Sequence, residues 1–235
     1  MADMAPSITP YHYVSNNPLS FIDPFGLWEI RFDQNGNWIE NYDDGSEDIF
    51  GAVYEYDEDG NMGDKTMDLV FNHTQSADPY ADDGTTILDD FTGGYLTGVD
   101  LNFESSFNMF MSKSGANEDK GFFGKYLYAL TESDGGNLDF TTYGELSQRK
   151  LHMAGGVAYN FHDASNFLWG MAMGKLGFSN FPMWAGSNLN AFWDGQEQYN
   201  GISKFSWTGD ATEDQRAINR GCRWSKNPFW RTWRK

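Results

Sequence analysis

The chain has 235 residues, enough for one large domain or two small ones, and its aromatic content of 17% argues against disorder despite a net charge of −18. The single cysteine, Cys222, excludes an internal disulfide and a cysteine-based zinc cluster. No stretch approaches the roughly 20 apolar residues of a membrane-spanning helix, and no signal-peptide pattern opens the chain. The acidity is uneven. Residues 1–112 have 22 acidic and two basic residues, a net charge of −20, whereas residues 113–235 have a net charge of +2. Only the first half would therefore repel nucleic acid.

Residues 11–27 contain two proline motifs in close succession. The first is Y-x-Y-V-x-N-N-P, and the second is D-P-x-G-L, formed by Asp23, Pro24, Gly26 and Leu27. Both prolines favour extended or turn conformations at the preceding residue. The stretch resembles the closing segment of the rearrangement-hotspot (Rhs) core of bacterial polymorphic toxins. This resemblance implies a β-rich shell, self-cleavage after Leu27 by an aspartyl protease, and a toxin payload that begins at Trp28.

Residues 28–62 have the pattern of β-hairpins. Gln34-Asn35-Gly36 separates strand-like runs at 28–33 and 37–42, a second turn at 43–45 leads into a run at 48–56, and Asp59-Gly60 forms a third turn. Residues 57–61 imitate the start of a calcium loop, but Met62 replaces the required glycine, so we expect a solvated turn.

Longer-range patterning predicts an α+β fold, with N-terminal β-hairpins or a meander packed on a mostly helical C-terminal core. Residues 161–177 indicate a helix, whereas 103–111 and 121–131 fit either a helix or a buried strand. The expected organisation is an Rhs remnant at 1–27, an acidic β-rich part at 28–112, and a helix-rich candidate catalytic part at 113–235 that ends in a basic, aromatic tail.

Three segments of the second half combine polar side chains with helix signals. The first, 136–140, contains Asp139. The second places one polar and glycine-rich face on a helix, formed by Asp163, Asn166, Gly170, Gly174 and Gly177. Glycine inside a helix is costly, so this face predicts close packing on another helix or on a ligand, and packing is favoured. In the third, Asp210 and Glu213 form a capping box, and Gly221 stands where a C-terminal cap belongs.

Taken together, the three segments resemble the bacterial polymorphic toxin type 44 family, whose motifs run W-D-x-K, then D-x-W-S-N-x-x-Y-G-x-x-G-x-x-x-G, then T-D-P-x-D with a later glycine. Asp139 matches the first motif, in which Leu138 and Thr141 replace the Trp and Lys. The second motif is approached, at a shifted spacing, by Asp163 and Asn166, and the third by Thr208, Asp214 and Gly221. The resemblance implies a toxin domain without specifying its reaction.

Our leading hypothesis is a secreted antibacterial effector that hydrolyses peptidoglycan with a carboxylate acid/base pair, delivered into the periplasm or cytoplasm of target cells. The candidate catalytic residues are Asp139, Glu145, His162, Asp163, Asn166, Glu213 and Asp214. We expect no cofactor or metal. The expected partners are a cognate immunity protein, the Rhs shell of the parent protein and the peptidoglycan substrate.

Three alternatives stay open. A nuclease would use His152 or His162 and grip phosphates with the basic tail. A membrane-disrupting toxin would use the same tail, in which Trp224, Trp230 and Trp233 alternate with basic residues. The third alternative is an inert shell fragment. Cys222 fits either a nucleophile or simple packing.

Overall fold

The computed structural model describes residues 28–43, 50–72, 96–178 and 212–226. The strands are β1 Trp28–Phe32, β2 Trp38–Asp43, β3 Phe50–Tyr56, β4 Met62–Phe71, β5 Gly98–Asp100, β6 Lys150–Ala154 and β7 Val157–Tyr159. The helices are α1 Phe107–Lys113, α2 Gly121–Glu132, α3 Phe161–Lys175 and α4 Thr212–Lys226, with 3-10 turns at Phe103–Ser106 and Phe140–Thr142. The α+β prediction is confirmed. Both segments that fitted either a helix or a strand, 103–111 and 121–131, are helical.

The turns of the β1–β2 and β3–β4 hairpins have the same five-residue sequence pattern. In each, the sequence is D-x-x-G-N, at Asp33–Asn37 between β1 and β2 and at Asp57–Asn61 between β3 and β4. The aspartate side chain accepts hydrogen bonds from the backbone and side chain of the asparagine four residues on, at 2.8 Å in both turns. The glycine has φ near +80°, which favours glycine over other residues. The solvated turn expected at 57–61 is therefore confirmed, and the carboxylate of Asp57 is used to close it.

Seven strands form one sheet in the order β2-β1-β3-β4-β7-β6-β5. β3 pairs in parallel with β1 and not with β2, its neighbour along the chain. The prediction that 28–62 consists of successive hairpins is therefore wrong for β2 and β3. A bridge between Asn37 and Gly98 joins the β1–β2 turn to β5, and the Val99 amide donates to the Gly36 carbonyl at 2.7 Å. The two ends of the sheet thus meet, which protects strand edges that would otherwise be unpaired.

The curled sheet encloses one apolar core, and the helices cover a second. The first is built from side chains of the strands and of residue 96, namely Ile30, Phe32, Val53, Leu69, Leu96, Val99, Leu151, Met153 and Ala158. The second lies between the sheet and the helices α1, α3 and α4 and is dominated by phenylalanines, including Phe103, Phe107, Phe110 and Phe167. Because β4 pairs with β7, strands from the acidic first half and the near-neutral second half share one sheet.

Two helix ends differ from the sequence predictions. Gly177 does not extend the glycine face of α3. It lies beyond the helix at φ +82°, where the Phe178 amide donates to the Met173 carbonyl at 3.0 Å and the Gly177 amide donates to the Gly174 carbonyl at 3.2 Å, a Schellman cap. Gly221 is not a C-terminal cap, because α4 continues to Lys226. The cleavage motif at 23–27, the turn residues 44–45, Asp210 and the tail beyond Lys226 lie outside the described residues.

Candidate functional site

The candidate site is organised by the crossing of α3 and α4. Asn160 caps α3, because its side chain accepts the Asp163 amide hydrogen at 2.7 Å. Three glycines allow the two helix backbones to approach closely. A Cβ at Gly170 would lie 2.1 Å from the Ile218 carbonyl oxygen, and one at Gly221 would lie 1.9 Å from the Phe167 carbonyl oxygen. Gly174 similarly faces Ser225. The predicted role of the α3 glycines in helix packing is therefore confirmed.

Close to the N-terminal end of α3, this crossing supports a buried polar cluster. The Asn72 side chain, at the end of β4, donates to the Asp163 carboxylate at 2.8 Å. The Arg220 guanidinium, on α4, donates to the Asn72 side-chain oxygen at 2.9 Å. Asn72 and Asp163 are only 1% and 2% exposed. The cluster thus links the end of β4, in the first half of the chain, to α3 and α4.

Tyr159, at the end of β7, borders the same cluster. It is 1% exposed, and burial raises the pKa of its phenol to about 12, an effect that the adjacent Arg220 guanidinium partly offsets and the Asp163 carboxylate reinforces. The phenol is therefore protonated at all physiological pH values and remains a neutral group beside the Asp163–Asn72–Arg220 chain.

A second carboxylate, that of Asp214 on α4, contacts α3 one helical turn beyond Asp163. The Asn166 side chain donates to Asp214 of α4 at 2.7 Å, across 48 residues of sequence. Both residues are half-buried, unlike Asp163. Asp163 and Asn166 are three residues apart and lie on the same face of α3. The structure therefore brings together three residues that the sequence singled out in two separate segments.

Other predicted residues have structural roles away from this cluster. Asp139 caps the 3-10 turn at Phe140–Thr142 and accepts hydrogen bonds from the Thr141 and Gly135 amides, both at 3.1 Å. Glu145 is exposed and bonded to Lys113, whose ammonium holds the pKa of that carboxyl below its usual value. Glu213 lies in the first turn of α4, and its side chain is outside the described part of the structure.

The two histidines proposed for a nuclease lie in different surroundings. His152, in β6, is 1% exposed, and its Nε2 is 2.8 Å from the Ser147 carbonyl oxygen. Its Nδ1 lies 3.9 Å from the Asp100 carboxylate, and His152 holds the pKa of Asp100 below its usual value. This histidine joins β6 to the end of β5 and to the loop at Ser147. His162, in the first turn of α3, is half-buried and packs edge-on against Phe161.

Sequence reasoning missed two members of the cluster. Asn72 and Arg220 were not among the candidate catalytic residues. Neither residue has a local sequence signal for its role, since the bond between them spans 148 residues. The sequence left two interpretations of Cys222, as a nucleophile or as a packing residue. Cys222 is fully buried in the helix-covered core, a position that favours packing.

Within the described ranges, no group of three or more His, Cys, Asp or Glu side chains is arranged to hold a metal ion. The hydrogen bonds described for the site join amide, guanidinium and carboxylate groups. Comparison of the chain with protein-family models, curated proteins and solved structures gave no match in any of the three.

Proposed function

We propose that this protein is an antibacterial effector of the Rhs type, whose payload begins at Trp28 and hydrolyses the peptidoglycan of the target cell. The boundary is supported by residues 11–27, whose paired motifs resemble those that close the Rhs core. In such a system the payload is exported for delivery into other bacteria, and the producing cell carries a cognate immunity protein.

The observation that supports a hydrolytic site is the convergence of Asp163, Asn166 and Asp214 at the α3–α4 crossing. Burying the Asp163 carboxylate costs several kcal/mol before its hydrogen bonds offset that cost, so apolar packing at this position would hold the helices together at least as well. A buried polar cluster that adds little stability is a candidate for a functional role.

The two carboxylates have different roles in this proposal. Asp214 is half-buried and is the acid/base group that reaches the substrate, while Asn166 orients it through the 2.7 Å hydrogen bond. Asp163 is buried and acts as a positioning residue. Through Asn72 it ties the start of α3 to Arg220, and Arg220 lies six residues from Asp214 on α4.

A nuclease is the second candidate function, and Arg220 is the observation that favours it. A guanidinium near two carboxylates and two amides also suits a phosphodiester, because arginine binds phosphate oxygens in a bidentate geometry. In this chain, however, Arg220 already donates to Asn72, and His152 is engaged in the interior. For this reason we favour the hydrolase over the nuclease as the function of the polar cluster.

The test is expression of the chain in bacterial cells with and without a periplasmic export signal. We expect lysis only upon export, with release of soluble peptidoglycan fragments. Asp214→Asn should abolish lysis, Asp214→Glu should restore part of it with a shifted pH profile, and Asp163→Asn should reduce it. The matched control is Glu58→Gln, an equally conservative change at the exposed tip of the β3–β4 hairpin. Toxicity without export, accompanied by loss of DNA or RNA, would replace the hydrolase with the nuclease.

A further inference from the structure

Helix α2 presents an unusually apolar surface to solvent. Although α2 is described along its whole length, it has no buried residue. Its exposed face contains five large side chains, with exposures of 68%, 82%, 41%, 65% and 80%, at Phe122, Phe123, Tyr126, Leu127 and Leu130. Exposed apolar residues scattered singly over a surface need no explanation, but five on one short helix form a continuous patch. We call this set the α2 face.

The opposite side of α2 is firmly attached to the protein. The Tyr128 hydroxyl donates to the Ser114 carbonyl oxygen at 2.6 Å. The indole N–H of Trp169, on α3, donates to the Ser133 hydroxyl at 2.9 Å, just beyond the end of α2. At the margin of the α2 face itself, Tyr126 packs edge-on against Phe178 with ring centroids 4.9 Å apart. The helix is therefore held in a fixed orientation that points the α2 face outward.

A basic cleft borders this face at the N-terminal end of α2. Its volume is about 520 Å³, and its lining includes Lys120, Lys125 and Lys175 together with Phe122. Two acidic residues also line it. Glu118 forms an ion pair with Lys120, and Asp119 accepts the Gly121 amide hydrogen. Lys125 lies over the rings of Phe122, Tyr126 and Phe178 at 5.1 to 5.7 Å, so its ammonium stands at the edge of the α2 face.

We propose that the α2 face docks onto the surface of a lipid bilayer, with the lysines of the basic cleft beside the lipid phosphates. Phenylalanine and leucine facing outward, with tyrosine and lysine at the margin, are the composition of a helix that lies in the interface of a membrane. The helix has 12 residues, and none of the described helices is long and apolar enough to cross a membrane. The α2 face would therefore lie on the bilayer without spanning it.

The size of the patch favours a membrane over a second copy of the chain. With about 200 Å² for a fully exposed large side chain, the α2 face exposes about 650 Å². A stable dimer interface commonly takes about 800 Å² from each partner and needs a complementary shape. A bilayer needs neither the larger area nor the complementarity. Lys120, Lys125 and Lys175 stand together at one end of the patch, where their ammonium groups can face the phosphates of anionic lipid.

The experiment is flotation of the full chain with vesicles of phosphatidylethanolamine and phosphatidylglycerol, compared with vesicles of phosphatidylcholine alone. We expect binding to both and stronger binding to the anionic vesicles. Phe123→Ser combined with Leu130→Ser should lower the partition at least roughly tenfold, because two large apolar groups no longer enter the interface. Lys125→Gln should lower binding to anionic vesicles roughly fivefold and leave binding to phosphatidylcholine nearly unchanged.

The matched control is Ile39→Ser combined with Met67→Ser, two apolar residues of the sheet that are each 40% exposed. This double variant should bind vesicles like the unaltered chain. A fluorophore on Phe123→Cys, which Cys222 does not disturb because it is fully buried, should be quenched by brominated lipid. Absence of vesicle binding, or equal losses in both double variants, would overturn the proposal. A dimer that only the α2 variants dissociate would assign the face to a second copy. None of these readouts requires enzymatic activity, so the proposal stands or falls separately from the hydrolase.

Discussion

Replacing Gly170 with alanine is the most direct test of the α3–α4 crossing. The added Cβ would lie 2.1 Å from the Ile218 carbonyl oxygen and 2.7 Å from its carbon, about 1 Å inside the closest tolerable approach. Both atoms belong to the backbone, so no side chain can rotate away. The two helices would have to move apart, and the core residues between them would lose contact.

The size of the effect follows from two opposing terms. Alanine is the better helix former by up to about 1 kcal/mol, while overpacking a tight contact costs about 1–3 kcal/mol and more where the backbone must move. We therefore expect Gly170→Ala to lower the free energy of unfolding by about 2 kcal/mol. For a chain of this size that corresponds to a fall of about 1 M in the urea midpoint at unchanged slope.

Gly124→Ala is the matched control, because it is the same substitution in another helix. Its Cβ would meet only the Lys120 Cβ at 3.7 Å, an ordinary contact, so the propensity term acts alone and the variant should gain about 0.5–1 kcal/mol. Both variants are compared by urea unfolding, followed by far-ultraviolet circular dichroism and tryptophan fluorescence. If Gly170→Ala were as stable as Gly124→Ala, the close crossing described for α3 and α4 would be refuted. Gly221→Ala should add less than its own cost to Gly170→Ala, since one separation of the helices relieves both clashes.

Two further predictions concern buried groups near this crossing. Because the pKa of Tyr159 is raised from about 10 to about 12, its contribution to stability is complete below pH 10 and is lost as the pH rises towards 12, by about 2–3 kcal/mol. Tyr159→Phe should show a smaller loss of stability over that pH interval in urea titrations, and an unchanged loss would contradict the burial of the phenol. Cys222, at 0% exposure, should react with a thiol reagent only at the rate of unfolding, so labelling that is fast in the absence of denaturant would place the cysteine elsewhere.

Local patterns were sufficient for the elements whose structure depends on neighbouring residues. The glycine-containing turns at Gln34-Asn35-Gly36 and Asp59-Gly60 predicted the β1–β2 and β3–β4 hairpins, since their backbone conformations are set within five residues. The polar and apolar spacing of 161–177 predicted α3, and its glycines predicted a closely packed neighbour. The same local reasoning misjudged Gly221, because a glycine that caps a helix and one that lets another helix approach have the same sequence signature.

Tertiary structure alone decided the rest. The parallel pairing of β3 with β1 and the meeting of β2 with β5 join residues through contacts that no local pattern encodes. The polar cluster depends on them, because Asn72 reaches Asp163 only when β4 pairs with β7 just before α3. The sequence by itself determined which side chains were candidates for a site, namely the acidic and amide groups near the start of α3 and on α4. Only the packing of two helices against one curled sheet decided that Asp163 is buried, that Asp214 reaches solvent, and that the apolar side of α2 is left facing outward.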